Sequence, residues 1–466
     1  MLRKERMKYN NTLLTLSIAA ATVTVGCSLA PDYERPATPV TSEWEADETV
    51  KQPLSWKEQF TDPELQTLIN TALNNNRDLK LAALNVAEYQ SQYKIERDAL
   101  IPSVNASGSV TRGYNTQGTG QYLTTYSVGG SLSWEIDFFG YIRNQKNAAL
   151  EGYFASYENQ RSAQISLIAS IASAYYTYVA DKELLDLYKE TLQTEQDSYK
   201  LTKNKYDVGA ASELELSQSQ TAVATAEINV ANYERVLKLD YNSLLLLVGT
   251  NLPEIDSLKK ITNIEVKPIA VGSKTTLLDQ RPDILAAEHL LKQANYSIGV
   301  ARAALLPRIT LGATYGRIAF ESNNFFDNDN RFWSLSPAFA VPIFNMSLYD
   351  NLDVVDIRKQ KAIVTYEKTI QQAFKEVSDA IKSFDSLNKQ YKSQQDLYTA
   401  TKTYFKLADQ RYNQGVDSYL TRLDAQRQYV GARQGLITTK LQQLQTQINL
   451  YKAIGGGWDN GDNVTE

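Results

Sequence analysis

The chain has 466 residues, of which 22% are charged, and its formal net charge is −5. This acidic balance excludes the basic surface that nucleic-acid binding requires. Cys27 and His289 are the single cysteine and the single histidine, which excludes a disulfide within the chain and the usual clustered metal sites. We therefore expect no metal and no cofactor, and a structural role for His289.

The N-terminus predicts an export signal. Basic residues precede an apolar run from Leu13 to Val25, which is too short for a membrane-spanning helix. Gly26 and Cys27 follow, and this order resembles a bacterial lipobox, in which the cysteine becomes the first residue and carries lipid. We predict a signal peptide over 1–26, lipid attachment at Cys27 and a location at the outer membrane, which Ser28 favours by its resemblance to outer-membrane lipoproteins.

The rest of the chain repeats itself. Asp78 recurs 205 positions later as Asp283. Gly249 recurs 206 positions later as Gly455. We predict an N-terminal segment (27–62), repeat 1 (63–250), a linker (251–276), repeat 2 (277–457) and a C-terminal tail (458–466).

Each repeat predicts a helix followed by two strands. The strands are placed at about 101–113 and 125–138 in repeat 1, and at about 306–320 and 332–344 in repeat 2. From Tyr126 to Phe138, and again from Trp333 to Ile343, apolar side chains alternate with small or polar ones. This period puts the apolar side chains on one surface of a sheet. Strands of about ten residues can cross a bilayer when tilted, although a soluble sandwich with one wet face has the same pattern.

Four strands cannot close a membrane barrel, because the smallest such barrels have about eight. An open sheet would expose main-chain edge groups to lipid. The chain is therefore expected to associate with copies of itself. Two copies would supply eight strands and three would supply twelve, and the count alone does not choose between them.

Each repeat then predicts a long helical hairpin, over 141–249 and 347–454. The first helix of each hairpin, if continuous, would be on the order of 100 Å long. Gly209 and Gly415 are expected to end these helices, with Ser212 and Ser418 as the N-caps of the return helices. The apolar spacings of three and four predict coiled-coil seams. The seam residues are Ile165, Ile168, Ala172, Tyr175 and Val179 in repeat 1, and Ile370, Phe374, Val377, Ile381, Phe384, Asn388 and Tyr391 in repeat 2.

Several local motifs resemble the TolC family of outer-membrane efflux channels, most closely its lipoprotein branch, typified by OprM and MtrE. The resemblance covers nearly the whole chain after the signal. The motifs are Ala30-Pro31-Asp32-Tyr33-Glu34-Arg35-Pro36, Phe60-x-Asp62-Pro63-x-Leu65, Glu135-Ile136-Asp137-Phe138-Phe139-Gly140, Arg281-Pro282-Asp283-Ile284, Pro342-Ile343-Phe344 and Tyr451-Lys452-Ala453-Ile454-Gly455-Gly456-Gly457.

The resemblance implies a homotrimer, with a twelve-stranded membrane β-barrel continued by a coiled-coil barrel of twelve helices in the periplasm. Residues 40–62, 250–275 and 455–466 would form a belt around the helical barrel. Drugs and other small toxic compounds would pass through without chemical change. The implied partners are a periplasmic adaptor protein and an inner-membrane transporter of the resistance-nodulation-division (RND) type, and the channel would contribute to multidrug resistance.

The same resemblance implies a periplasmic gate around the second turn. Its residues would be Tyr412, Asp417, Leu420, Asp424 and Arg427. Asp417, Leu420 and Asp424 are three and four positions apart, which predicts one helical face and, in a trimer, stacked rings. Without the family, Asp424 and Arg427 would be interpreted as a solvated ion pair.

The exposed ends of the two hairpins are predicted to contact the adaptor. These positions are Val208, Gly209, Ala210 and Ser212 in repeat 1, and Gly415, Val416 and Ser418 in repeat 2.

Other classes of protein fit less well. A trimeric autotransporter adhesin gathers its strands at the C-terminus, whereas these are split between two repeats. A soluble coiled-coil scaffold would not need a lipidated cysteine or membrane-length strands. An enzyme is not expected, because no nucleophile, base and metal set converges. Among cargoes, heavy metals and secreted proteins stay open as alternatives to drugs.

Overall fold

The computed structural model describes residues 28–39, 55–114, 122–253, 259–265, 269, 271–272 and 274–456. Cys27, the predicted signal peptide and the predicted C-terminal tail lie outside the described residues. Short 3₁₀ turns occur at Ile261–Asn263, Ser322–Asn324 and Asn328–Asn330. The helices and strands are, in order, α1 (Trp56–Gln59), α2 (Pro63–Asn75), α3 (Arg77–Asp98), β1 (Ser103–Tyr114), β2 (Tyr122–Ile136), α4 (Tyr141–Asp207), α5 (Glu213–Val248), α6 (Lys274–Gln280), α7 (Pro282–Ala303), β3 (Arg308–Ala319), β4 (Arg331–Ala340), α8 (Met346–Asn413) and α9 (Tyr419–Ala453).

The chain divides into two units. The strand unit comprises Met1–Thr38, Leu84–Tyr157 and Ala286–Lys368, and the helix unit comprises Pro39–Ala83, Glu158–Leu285 and Thr369–Glu466. Each repeat contributes to both units, and α4 and α8 supply residues to both.

The strand unit contains one antiparallel sheet in the order β1-β2-β3-β4. Its central pair is formed between the repeats, with Val128 opposite Arg317 and Trp134 opposite Leu311. The outer pairs are hairpins within each repeat. The four predicted strands and the internal repeat are therefore confirmed.

The two faces of the sheet differ in chemistry. Residues directly opposite in an antiparallel pair share a face, so Leu132 lies beside Val104 on β1 and Ala313 on β3. This apolar face also carries Val110, Val128, Trp134, Leu311, Tyr315, Trp333 and Leu335. The other face is polar and hydrogen-bonded across strands, as between Ser109 Oγ and Ser127 Oγ at 2.8 Å. An amphipathic sheet of this kind suits a wall between lipid and water.

Two strands end earlier than the sequence predicts. β2 ends at Ile136, because the carboxylate of Asp137 accepts hydrogen bonds from the main-chain N–H groups of Ile142 and Arg143, at 3.1 and 2.8 Å, and so caps α4. The strand therefore ends two residues before the predicted end at about 138. β4 ends at Ala340, so Ile343 lies outside the strand as well. Pro342 has no N–H to continue a ladder.

The long helices have the predicted extents. α4 has 67 residues and α8 has 68. Gly209 and Gly415 follow them with φ of 73° and 75°, the left-handed region that glycine adopts without a steric penalty. Ser212 and Ser418 are the N-caps of α5 and α9, which confirms that prediction.

The helix unit has an apolar core built on the predicted seams. Ile168, Ala172 and Tyr175 of α4 are at most 2% exposed, as are Phe374 and Val377 of α8. The core of α4 also contacts Leu65, Leu68 and Ile69 of α2. Asp62 N-caps α2, accepting from the N–H of Glu64 at 3.0 Å, with Pro63 in the first helical position.

The repeats join their helices in equivalent ways. Asn76 Nδ2 donates to the carbonyl oxygen of Leu247 near the end of α5, at 2.8 Å. The equivalent Arg281 Nη1 donates to the carbonyl oxygen of Ala453 at the end of α9, also at 2.8 Å. Both contacts satisfy carbonyls that a helix leaves unpaired in its last turn.

The segment after Cys27, residues 28–38, is fastened to the helices of the strand unit, and we call it the N-terminal strap. Ser28 Oγ donates to Asn144 Oδ1 at 2.9 Å, in the first turn of α4. Arg35 donates to Glu288 Oε2 from Nε at 3.0 Å and Nη2 at 2.6 Å. A side chain at Gly299 would come within 2.8 Å of the strap's main chain, so glycine is required there.

His289 has a structural contact, since its Nδ1 lies 2.6 Å from Glu151 Oε2 within the strand unit. Among the described helices, none is long and apolar enough to cross a membrane.

Candidate functional site

The candidate site lies at the two turns of the helical hairpins, in the helix unit. We call residues 205–215 the first tip and 411–424 the second tip. Both turns use the same main-chain geometry: Ala210 N–H donates to Lys205 O at 2.8 Å, and Val416 N–H donates to Arg411 O at 2.9 Å. This contact spans five residues and satisfies a carbonyl at the end of each long helix.

The tips differ in their polar contacts. At the first tip, Ser212 and Glu215 form a reciprocal capping box, with distances of 3.2 Å in both directions. At the second tip, Arg411 Nε and Nη2 bind the carboxylate of Asp417 at 2.6 and 2.9 Å. These hydrogen bonds lower the pKa of Asp417. The position equivalent to Asp417 in repeat 1 is Ala211, so only the second tip has this ion pair.

Tyr412 connects the two tips. Its Oη lies 3.3 Å from Thr202 Oγ1, and the Lys205 ammonium lies 4.5 Å from the centre of its ring. The ring also packs edge-on against Tyr419, with centroids 5.6 Å apart. Tyr412 is 6% exposed. Tyr412 is one of the five predicted gate residues, but its side chain is buried between the two hairpins. It therefore holds the hairpins together and does not line an exposed surface.

Leu420, Asp424 and Arg427 lie together on the exposed side of α9. Leu420 is 58% exposed. Asp424 accepts a hydrogen bond from Gln428 Nε2 at 2.8 Å. Within the part of the chain that the structure describes, Asp424 makes no ion pair with Arg427, so the solvated i,i+3 pair is not formed.

The sequence prediction for Asp417 is wrong in one respect. Ser418 is the N-cap of α9, so Asp417 precedes the helix and does not share the helical face of Leu420 and Asp424. Its side chain instead turns towards Arg411. The structure thus separates Asp417 from the other predicted ring positions.

The buried side of α9 contains a charged cluster that the sequence analysis missed. The Arg422 side chain is 4% exposed, and its Nε donates to Asp409 Oδ1 at 2.7 Å. Its Nη1 lies 3.7 Å from Glu195 Oε2, a distance too long for a hydrogen bond. Burial raises the pKa of Glu195, although the nearby Arg422 opposes that shift. The sequence did contain a signal of this burial. Arg422 is three residues after Tyr419, a spacing that puts both side chains on the same, buried face of α9.

Burial also raises the pKa of Tyr419 to about 12, with the Glu195 charge as a smaller cause. The Tyr419 hydroxyl has no hydrogen-bond partner among the described residues. The interior behind the second tip therefore contains polar groups that are only partly satisfied, and such interiors are less stable than apolar ones.

The predicted adaptor-contact positions are at the surface. Val208 is 78% exposed and Val416 is 60% exposed. A side chain added at Gly209 or Gly415 would meet nothing within 4 Å. Each turn thus presents one exposed valine at the surface. Within the described ranges, no group of three or more metal-ligating side chains is placed to hold an ion.

A sheet of membrane-length strands joined to two long helical hairpins is the architecture of an outer-membrane channel protein. The family model "Outer membrane efflux protein" matches residues 68–250 and 275–456, one match per repeat. The chain belongs to the outer membrane efflux protein family. It is an outer-membrane efflux protein with its helices in the periplasm.

Relatives and solved structures agree with this assignment. The chain is 41% identical over 464 residues to the antibiotic efflux pump outer membrane protein ArpC of Pseudomonas putida, covering 96% of each chain. It has the same identity and coverage to the toluene efflux pump outer membrane protein TtgC of the same species. The open-state structure of the Neisseria gonorrhoeae MtrE outer membrane channel aligns with a TM-score of 0.84 and 33% identity, over 92% of this chain and 98% of that one.

Proposed function

We propose that three copies of the chain form one conduit, in which twelve strands close a β-barrel across the outer membrane and twelve long helices continue it. The observation that carries this proposal is the open sheet, since β1 and β4 each have one partner strand within the described chain. Unpaired edge groups in lipid are costly, and pairing β1 of one copy with β4 of the next removes both edges.

The mass of the full-length protein in detergent, measured by native mass spectrometry, tests the assembly. We expect three chains per particle. Cysteines introduced in β1 at Ser107 and in β4 at Ser336, scanned over neighbouring positions, should yield cross-linked trimers. A particle containing one chain, with no cross-links, would contradict the proposal.

We propose that the conduit works with a periplasmic adaptor and an inner-membrane pump of the RND type. The exposed Val208 and Val416 support docking of the adaptor at the tips. Photo-crosslinking groups at these two positions should capture a purified adaptor, whereas a group at Leu397, which is 49% exposed and lies more than four helical turns before the end of α8, should not. Equal capture at all three positions would contradict docking at the tips.

The proposed cargo consists of drugs and other small toxic compounds, including organic solvents. ArpC is named for antibiotics and TtgC for toluene, which supports this choice. Deleting the gene should increase susceptibility to antibiotics and toluene, and restoring it should reverse the effect. Increased susceptibility to metal salts alone, or loss of a secreted protein, would favour the alternative cargoes.

We also propose that Cys27 carries lipid and anchors the chain in the membrane. The N-terminal strap supports this, because Ser28 binds Asn144 in the first turn of α4, close in sequence to the end of β2. This contact holds Ser28, the residue after Cys27, beside the start of the helix that follows β2. Mass analysis of the N-terminal peptide should find a lipidated cysteine at Cys27, and none in Cys27→Ala.

A further inference from the structure

Two arginines face each other on the apolar side of the sheet. Arg317 of β3 lies directly opposite Arg331 of β4, and opposite Val128 of β2 on its other side. All three residues therefore share the face that the membrane covers. Like charges directly opposite in a sheet repel each other and destabilise the pair.

No carboxylate neutralises these arginines among the described residues. Arg317 Nη1 donates to the main-chain oxygens of Phe326 and Asp327 in the β3–β4 connection, the latter at 3.1 Å. The Arg331 main-chain N–H donates to the carbonyl oxygen of Asn328, but its guanidinium makes no hydrogen bond or ion pair within the described ranges. Arg308 on the polar face is different, since its Nη2 binds Glu135 at 2.6 Å. Arg308 on the polar face thus has a carboxylate partner, whereas Arg317 and Arg331 on the apolar face have none among the described residues.

Aromatic side chains lie beside the arginine pair. Tyr315 and Trp333 are opposite each other, two residues nearer the helical end of the sheet, and are 63% and 76% exposed. Arg112 lies on the same face of β1, with its guanidinium 5.0 Å from the centre of the Tyr122 ring. Tyrosine and tryptophan side chains, with cationic side chains just beyond them, are typical of the depth at which the hydrocarbon core of a bilayer meets its headgroups.

The position of the pair along the strands identifies the leaflet. Arg317 is two residues from the end of β3, and Arg331 is the first residue of β4. Both lie at the hairpin end of the sheet, opposite the end where the helices attach. Because the helices are periplasmic, the hairpin end faces the cell exterior, where the outer leaflet consists of a phosphorylated glycolipid.

We propose that Arg317 and Arg331, above the platform of Tyr315 and Trp333, bind the phosphate of an outer-leaflet glycolipid of the lipopolysaccharide type. The inference rests on the assignment of this sheet to the outer membrane. Guanidinium groups match phosphate oxygens with paired hydrogen bonds. A phosphate between the two side chains would replace their repulsion with two attractions, while the acyl chains cover the apolar face below.

Binding of defined lipids to the full-length protein in nanodiscs of zwitterionic lipid tests this proposal. The probe is bis-phosphorylated lipid A, and native mass spectrometry counts the bound molecules as the lipid is titrated. Arg331→Gln is the decisive variant, because the guanidinium has no hydrogen bond or ion pair in the described chain whose loss could disturb folding, and the main-chain contacts of Arg331 are kept. We expect its apparent affinity to fall about fivefold, and to fall further in Arg317→Gln/Arg331→Gln.

Two controls separate this site from general attraction. Lys382→Gln removes an equal charge from an exposed position on α8 and should bind like the parent. Dephosphorylated lipid A should bind weakly to every variant. Three results would each overturn the proposal: equal binding of the dephosphorylated lipid, displacement of lipid A by inorganic phosphate at equal concentration, or unchanged affinity in Arg331→Gln. Outer-membrane fractionation of the same variants shows independently whether the sheet is in its membrane.

Discussion

Arg281 Nη1 donates a hydrogen bond to the carbonyl oxygen of Ala453 at 2.8 Å, at the last residue of α9. The same guanidinium binds Asp283 Oδ2 through Nη2 at 2.6 Å and Glu376 Oε2 through Nη1 at 2.9 Å. One side chain, which is 7% exposed, thus joins the beginning of α7, the middle of α8 and the end of α9. In repeat 1 the equivalent Asn76 contacts two helices, since its Nδ2 donates to Leu247 O near the end of α5 and its Oδ1 accepts from the Leu79 N–H at the start of α3.

Arg281→Ala is expected to destabilise the protein by about 3 kcal/mol, because several charge-assisted hydrogen bonds of a buried side chain are lost. Asn76→Ala removes the bond to Leu247 and the cap on Leu79, and should cost about 2 kcal/mol. Thermal unfolding monitored by circular dichroism ranks the two variants. A larger loss in Asn76→Ala would contradict this account.

Gly249→Ala should be far more damaging than Gly209→Ala. Both glycines have φ near 74°, at 74° and 73°, so alanine is strained by about 1 kcal/mol at either position. At Gly249 the added methyl would also lie 2.8 Å from the carbonyl oxygen of Asn75, whereas at Gly209 it meets open space. Melting temperatures of the purified variants measure the difference. Equal decreases in melting temperature would show that backbone strain alone, without the contact to Asn75, determines the loss of stability.

Arg422→Ala should lower the free energy of unfolding by about 3 kcal/mol at neutral pH, since it leaves Glu195 buried without its nearby cation. The pKa of Glu195 is already raised by burial. A raised carboxyl pKa penalises the folded state above it, so the variant should regain stability as the pH falls through that pKa. Adding Glu195→Gln should recover much of the loss at neutral pH. Denaturant titrations at neutral and mildly acidic pH provide the test, and a pH-independent loss would contradict it.

The ion pair between Arg411 and Asp417 makes the second tip sensitive to acid. Because the pKa of Asp417 is lowered in the folded state, the pair contributes fully above the unfolded value of about 3.9. The contribution is lost as the pH falls through the lower folded pKa. Asp417→Asn should reproduce the acid state at neutral pH, with faster hydrogen exchange at the Val416 amide. Asp197→Asn, on the exposed surface of α4, is the control and should leave that amide unchanged.

Leu420→Ala/Asp424→Ala should raise single-channel conductance severalfold, if these exposed side chains of adjacent copies narrow the conduit. An aspartate ring would also favour cations, so the variant should lose cation selectivity. Recordings in planar bilayers measure both quantities. Leu407→Ala, which changes an equally exposed leucine of α8, should conduct like the parent. Unchanged conductance in the double variant would remove these residues from the gate.

Much of the fold could be predicted because its periods are long and uninterrupted. The alternation around Trp134 and Trp333 identified two of the strands, and glycine with serine at positions 209 and 212 identified the first tip. Strand ends were less predictable. Asp137 continues the alternation in sequence, but its carboxylate caps α4 instead of extending β2. The alternation alone does not show that a helix cap competes with the strand for this residue.

The candidate site was predicted only in part. The exposure of Leu420 and Asp424 follows from the helical period. Arg422 was missed because its burial depends on Asp409 and Glu195, which come from other helices. The error at Asp417 could have been avoided, since an N-cap at Ser418 already excludes its predecessor from the helical face.

The ion pair at one tip but not the other has a consequence for movement. A ring of three chains would present six helical turns, in which turns with the ion pair alternate with turns that lack it. Force applied evenly by a docking partner would then meet unequal resistance around the circle. The end of the helical barrel would therefore deform with threefold symmetry, although the two similar repeats in each chain give its backbone nearly sixfold symmetry.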